Sequence, residues 1–308
     1  MKYSRMLWLA IIASVVVAGC TKSTETTTSD EDAIEALIQG DYANYFDATV
    51  AINDSGATDD TIQNKLKGGT KGFIVGWGRQ ITHVSSEFTI SVNNDTANVV
   101  INRNLDGILH VLWAPDTPGT LSDSIKSFKD KTERYALFVR EGDPDEPIRR
   151  GWRLKGLSNV EINTQNLPDS IVKVNITKME ITKLDDNDNE IETITITDPS
   201  SLQNRDSIPT FLPDEKVRVR VYVDKNEPSV FAFFHNSRPY RDSTRHQRRR
   251  IRMQYNADLG CFEVIYYTPN LAGIYHSAAD IIESNSLLES DYPYVANAWT
   301  FVYRVSSE

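Results

Sequence analysis

Arginine is concentrated in one stretch of an otherwise acidic chain: Arg238, Arg241, Arg245, Arg248, Arg249, Arg250 and Arg252, with His246 among them. Guanidinium forks hold phosphate or carboxylate oxygens two at a time, so this cluster has the chemistry to grip lipid headgroups, acidic glycans or an acidic partner protein. From Arg250 to Tyr255, polar residues alternate with Ile251, Met253 and Tyr255, the period of a strand with one apolar face. Arg218 and Arg220 alternate in the same way with Val217, Val219, Val221 and Val223. If the two strands share a sheet, Arg218, Arg220, Arg248, Arg250 and Arg252 line up as a basic stripe. The alternative is that these cations are paired with the chain's own Asp and Glu.

The run Asp185-Asp186-Asn187-Asp188-Asn189-Glu190 offers oxygen ligands of the kind calcium takes, but the spacing of a calcium loop fails. Counting from Asp185, Glu190 stands where the glycine belongs and Ile196 where the closing glutamate belongs, so a polar hairpin turn is expected and no metal site. The chain carries no G-x-S-x-G, no H-E-x-x-H, no phosphate-cradling glycine loop and no Rossmann glycines, and no cofactor is expected. The formal charge of −10 also argues against nucleic acid as a partner, since phosphate neutralisation needs an excess of Lys and Arg.

The N-terminus has a chemistry of its own. Lys2 and Arg5 precede an apolar run from Leu7 to Gly19, too short for a comfortable membrane span, and Val17-Ala18-Gly19-Cys20 follows. These residues resemble the bacterial lipoprotein signal. The resemblance implies removal of residues 1–19, a diacylglycerol on the Cys20 thiol and an acylated amine. Two or three acyl chains meet the multiple-chain requirement for lasting attachment, at about 0.8 kcal/mol per buried methylene. Loss of Lys2 and Arg5 takes the charge from −10 to −12. Residues 20–30, nearly all Thr, Ser, Lys, Glu and Asp beyond the cysteine, read as a disordered tether. Thr21 in place of Asp resembles proteins sorted to the outer membrane. Cys261 is the second of two cysteines, so no intrachain disulfide is expected once Cys20 is lipidated.

The rest of the chain is long enough for two domains. Residues 31–165 begin with helix: Ser29 and Asp32 form a capping pair, and Ile34, Leu37, Ile38, Tyr42 and Tyr45 recur at helical spacing. A second helix is predicted near Thr61 to Leu66. Strands follow at Glu87–Val92, Thr96–Arg103 and Gly107–Trp113, with turns at Asn93-Asn94-Asp95 and Asp106-Gly107, then a long pair from Lys129–Arg140 and Gly151–Ile162. Helices before strand pairs, with Arg134 to Arg140 and then Gly151-Trp152-Arg153-Leu154-Lys155-Gly156-Leu157, resemble the NTF2-like fold, an α+β curved antiparallel sheet with helices. That resemblance implies a cone enclosing a pocket, which His83, His110, Trp77, Trp113 and Asp41 would line, although no spacing rule singles them out.

Asn166-Leu167-Pro168-Asp169 reads as a boundary. Residues 166–308 are strand upon strand, at least seven, as expected of a sandwich. Within them Leu271-Ala272-Gly273-Ile274-Tyr275-His276-Ser277 resembles the tyrosine corner of immunoglobulin-like β-sandwiches, with Tyr275 as the corner residue and Ser277 where antibody domains have a cysteine. Tyr292, Tyr294 and Trp299 are either loop-tip rings for stacking or core. The sequence therefore points to a membrane-anchored envelope lipoprotein that binds or scaffolds a protein or acidic glycan. The alternative is an enzyme or small-ligand carrier using the first domain's pocket.

Overall fold

The computed structural model describes residues 29–47, 52, 58–59, 66–68, 72–114, 120–146, 148–225, 229–239 and 246–307. Helix α1 (Asp30–Gln39) starts as its sequence requires: the Ser29 side chain accepts from the Asp32 amide, and the Asp32 side chain accepts from the Ser29 amide. Ala33, Ile34, Leu37 and Ile38 form its buried stripe, each large residue contributing about 2 kcal/mol by leaving water. One further turn, α2 (Ala43–Phe46), and two short strands, β1 (Thr58–Asp59) and β2 (Leu66–Gly68), precede the long strands. The helix predicted at Thr61 to Leu66 lies outside the described residues, apart from Leu66, which opens β2.

Three strands dominate this half: β3 (Gly72–Asn93), β4 (Thr96–Ala114) and β5 (Ser122–Arg140), of 22, 19 and 19 residues. At about 3.3 Å per residue each is roughly 60 Å or more in length. The β3–β4 turn forms at Asn94, whose φ of 52° suits a tight hairpin. No turn forms at Asp106-Gly107; the strand runs straight through, with Gly107 opposite Ile81 on one side and Phe128 on the other. Gly107 is there for packing. A Cβ on it would stand 2.2 Å from the Phe128 ring and 2.8 Å from the Gln80 carbonyl oxygen. Strands β6 (Trp152–Leu157) and β7 (Val160–Thr164) then pair in succession with β5.

The remaining strands are β8 (Ile176–Leu184), β9 (Glu190–Ile196), β10 (Gln203–Asn204), β11 (Thr210–Phe211), β12 (Lys216–Val223), β13 (Val230–Pro239), β14 (His246–Arg252), β15 (Gln254–Asn256), β16 (Cys261–Tyr267), β17 (Gly273–Glu283) and β18 (Ala296–Val305), with α3 (Ser284–Leu288) between the last two. Strands β15, β16, β12, β8 and β9 form a five-stranded sheet in that order. Val217, Val219 and Val221 point from it into a core shared with Phe234, Phe301 and Tyr303 of the larger sheet. The hydroxyl of Tyr275 donates to the Leu271 carbonyl at 2.9 Å.

Among the described residues the larger sheet has thirteen strands and runs β1-β14-β13-β17-β18-β7-β5-β4-β3-β2 along its main path. Here the expected fold class is corrected. The described residues are about 60% strand and 10% helix, with three helices among them and large antiparallel sheets, so the fold is mostly β and not an NTF2-like α+β domain followed by an immunoglobulin-like sandwich. The physical reason lies in the pairing of β18 with β7, Ala298 opposite Ile162 and Trp299 opposite Glu161. That ladder continues one sheet across Asn166–Asp169. The first half's strands are therefore covered partly by α1 and α2 and partly by other strands, not by a layer of helices. Among the described residues no helix is long and apolar enough to cross a membrane.

Candidate binding cleft and buried charge network

The large sheet coils far enough to bring β3 against β13 and β17, and polar side chains meet in the seam. Arg79 of β3 grips Asp280 of β17 with two bonds, Nη1 to Oδ1 at 3.1 Å and Nη2 to Oδ2 at 2.5 Å. His235 of β13 places Nε2 within 3.0 Å of Asp280 Oδ2 and 3.2 Å of Arg79 Nη2, donating to one or accepting from the other according to its tautomer. Arg79 Nη1 also donates to the Tyr294 hydroxyl, which donates to Asp130 of β5 at 3.3 Å. Arg79, Asp130, His235 and Asp280 are all buried.

Burial acts on the two carboxyls alike, and their neighbours separate them. Burial would raise Asp280, but the Arg79 charge and the His235 hydrogen bond outweigh it and hold that carboxyl at about 2. Asp130 is pushed up to about 7 by burial, which Arg79 offsets only in part. Paired titratable groups with separated pKa values are a mark of active sites, and also of ion pairs that fix a fold. This seam is closed to solvent and ties strands from both halves together, so the second role fits it.

Arg250 of the arginine cluster is drawn into the same interior. Arg250 of β14 is buried, its guanidinium stacked 3.7 Å from the Trp77 ring centre and donating to the Trp77 carbonyl at 2.7 Å. Arg252 lies 5.1 Å from the centre of the Phe231 ring. Arg248 is in β14 opposite Ser237, with its side chain outside the description. Arg218 and Arg220 belong to β12 of the other sheet, where Glu190 bonds both, at 3.0 and 2.9 Å, and Glu263 holds Arg220 at 3.2 Å. The five residues do not line up in one stripe.

Of the residues that the first half's pocket was expected to gather, His83, His110 and Asp41 stay apart, and the two tryptophans share a buried apolar cluster. His83 is exposed on β3, where it faces Asp106 in register. His110 meets Asp123 at 3.1 Å on an outer face, and Asp41 pairs with Arg149 at 2.6 Å near the helices. Trp77 and Trp113 are buried in a cluster with Phe128 and Phe233. Tyr294 and Trp299 are buried as well. Asp185 spends its oxygens on the amide of Asn187 and the backbone and side chain of Asn189, a closed polar turn. Among the described residues no group of three or more His, Cys, Asp or Glu is placed to hold a metal. Cys20 lies outside the described residues.

An open recess of about 290 Å³ lies elsewhere, between the helices and the long strands. Ile38 and Gln39 end α1 on one side, Ala43, Asn44 and Phe46 come from α2, and Asp47, Phe88 and Arg103 complete the wall. Arg103 donates to the Phe46 carbonyl at 3.3 Å. Behind Phe46 stands Arg134, diagonal to Arg103 across the β4–β5 ladder, donating to the Tyr45 carbonyl at 2.5 Å with its guanidinium 5.7 Å from the Phe46 ring centre. Its Nε and Nη2 are buried and find no hydrogen-bond partner among the described residues. Burial, then the like charge of Arg103, pushes Arg134 down to about 9, with Asp47 opposing. His276 of β17 sits 2.8 Å from the Asn44 carbonyl, and burial with the nearby Arg134 charge drives it down to about 3.

Sequence reading passed over Arg103 and Arg134. A signal was present: counting by twos along β4 gives Ala97, Val99, Ile101, Arg103, and along β5 gives Phe138, Ala136, Arg134, so each arginine extends a buried face. A cation in register with core residues marks a place where burial is tolerated for a reason. No family model, curated protein or solved structure matches the chain.

Proposed function

We propose that this chain is a lipid-anchored protein of the bacterial cell envelope, held at the outer membrane through Cys20, that binds a target and does not transform it. The observation that carries the binding reading is the commitment of Arg79, Asp130, His235 and Asp280 to the closed seam, while the open recess is walled by amides, apolar side chains and the Arg103 and Asp47 charges. The recess also lies toward the tethered end. It is bounded by the last residues of α1, a ten-residue helix of about 15 Å that begins directly after the tether.

The anchor is tested by growing cells with labelled palmitate and separating membrane from soluble fractions. Label on the wild-type chain, and its loss together with release from the membrane in Cys20→Ser, is the expected outcome. An unlabelled wild-type chain, or one that washing releases, overturns the anchored reading.

A second reading, a carrier of a small ligand, is favoured by the volume of the recess, at the lower end of what encloses a small molecule.

A further inference from the structure

An edge strand offers a row of backbone N–H and C=O groups to any other strand, and native folds shorten, bend or charge their edges to prevent it. Among the described residues, β1, β2 and β15 end their sheets with two or three residues each. The long β3 meets β4 through two register shifts, between Ile74 and Gly76 and between Ile81 and His83, which bend its outer edge. Strand β9 is neither so short nor so bent. It ends the five-stranded sheet, pairs among the described residues with β8 alone, and keeps unbroken register from Glu192 to Ile196. Five of its residues, Ile191, Thr193, Ile194, Thr195 and Ile196, are β-branched, and none is proline or lysine. Its two carboxylates do not leave the edge charged. Arg218 and Arg220 bond Glu190, and Lys183 bonds Glu192 at 2.6 Å, all three cations belonging to the same sheet.

We infer that β9 pairs antiparallel with β9 of a second copy of this chain, centred on Ile194, so that the two five-stranded sheets become one. The inference rests on neither the recess nor the lipid anchor. In this register Ile194 meets Ile194, Thr193 meets Thr195 and Glu192 meets Ile196. Ile194 and Ile196 already pack against the core between the sheets, and the Ile194 pair extends that core across the join. The two Glu192 carboxylates stand four positions apart, about 13 Å along the strands. Centring on Glu192 would set them directly opposite, and centring on Thr193 would leave them diagonal at about 7–8 Å. Asp198 lies past the end of β9 and bonds Ser200 and Ser201. Copies of a chain with a net charge of −10 repel each other in general, and this edge is a place where the strand's own charges are offset.

The test is disulfide trapping between two differently tagged full-length copies in the same cells, oxidised with copper phenanthroline, with the wild-type chain and its Cys20 and Cys261 as the baseline. Thr193 and Thr195 are both exposed, so a cysteine at either is tolerated by the fold. Directly opposite residues have Cα atoms about 4.5–5.5 Å apart, within disulfide reach, whereas diagonal ones do not. Thr193→Cys in one copy with Thr195→Cys in the other should therefore give about tenfold more bridged dimer than either variant with itself. Thr195→Lys, which charges the edge, should weaken the dimer about tenfold in sedimentation of the purified full chain in detergent. The inference is overturned if the mixed copies do not bridge, if each variant bridges as well with itself, or if Thr195→Lys leaves the dimer unchanged. Capture of a different protein by the cysteine at 193, in place of the second copy, also overturns it.

Discussion

Arg79 and Asp280, 201 positions apart in the chain, meet in a two-bond ion pair that neither shares with solvent. One comes from the edge region of the large sheet and the other from its middle, so the pair records how far the sheet has coiled.

Such a pair is worth more broken than made. Removing one partner strands a buried charge, and Arg79→Met or Asp280→Leu alone should cost about 3–5 kcal/mol in urea unfolding. The double variant Arg79→Met with Asp280→Leu should recover a large part of that loss, because both desolvation costs disappear together. Additive losses in the double variant would show that the two residues do not act as a pair.

Stability should respond to pH through three buried groups. Asp130, raised to about 7, contributes stability that is fully present below about 3.8 and is lost as pH rises toward 7. His276, lowered from 6.5 to about 3, works the other way: its contribution is present above 6.5 and lost as pH falls toward 3. Asp280, lowered to about 2, adds a further loss only as pH drops below 3.8. Between pH 4 and 6.5 the first two oppose each other, so the wild-type profile should be shallow there. In Asp130→Asn the opposing slope is gone, and unfolding free energy should rise with pH across that window. A profile with the same slope in both proteins would contradict the assignment of Asp130.

Glycine substitutions should separate packing from chain flexibility. Gly107→Ala forces a Cβ to within 2.2 Å of the Phe128 ring, and overpacking of this kind costs about 1–3 kcal/mol. Gly76→Ala, beside a bulge on the neighbouring strand β3, meets Leu112 at 3.8 Å and should be close to neutral when both variants are compared in thermal melts. Equal losses at the two positions would mean that strand propensity, and not the ring, governs Gly107.

Local patterns were legible in the sequence. The Ser29–Asp32 cap, the Asn93–Asp95 turn and the inward Val217, Val219 and Val221 all depend on neighbours a few residues away, and all formed where the spacing placed them. The Tyr275 hydroxyl also reaches the Leu271 carbonyl, although the surrounding arrangement is not the sandwich it resembled. What periodicity could not show was partnership. Nothing in the alternation of Val160 to Thr164 says that its neighbour is Asn297 to Thr300, and that one ladder changed the fold class. The same limit hid the site. His83, His110 and Asp41 have suggestive chemistry but lie on separate surfaces, whereas Arg103 and Arg134 were brought together by a register that only the folded sheet displays. Reading Asp106-Gly107 as a turn failed for a different reason, since glycine answers to crowding as well as to backbone freedom.

The placement of β18 between β17 and β7 also constrains the order of events as the polypeptide emerges. Its middle position must stay vacant until Ala296–Val305 arrives, leaving the earlier strands without the neighbour that joins them to the rest. Pairings of such long sequence separation close slowly. A nascent chain of this kind cannot close the large sheet until synthesis has passed that strand.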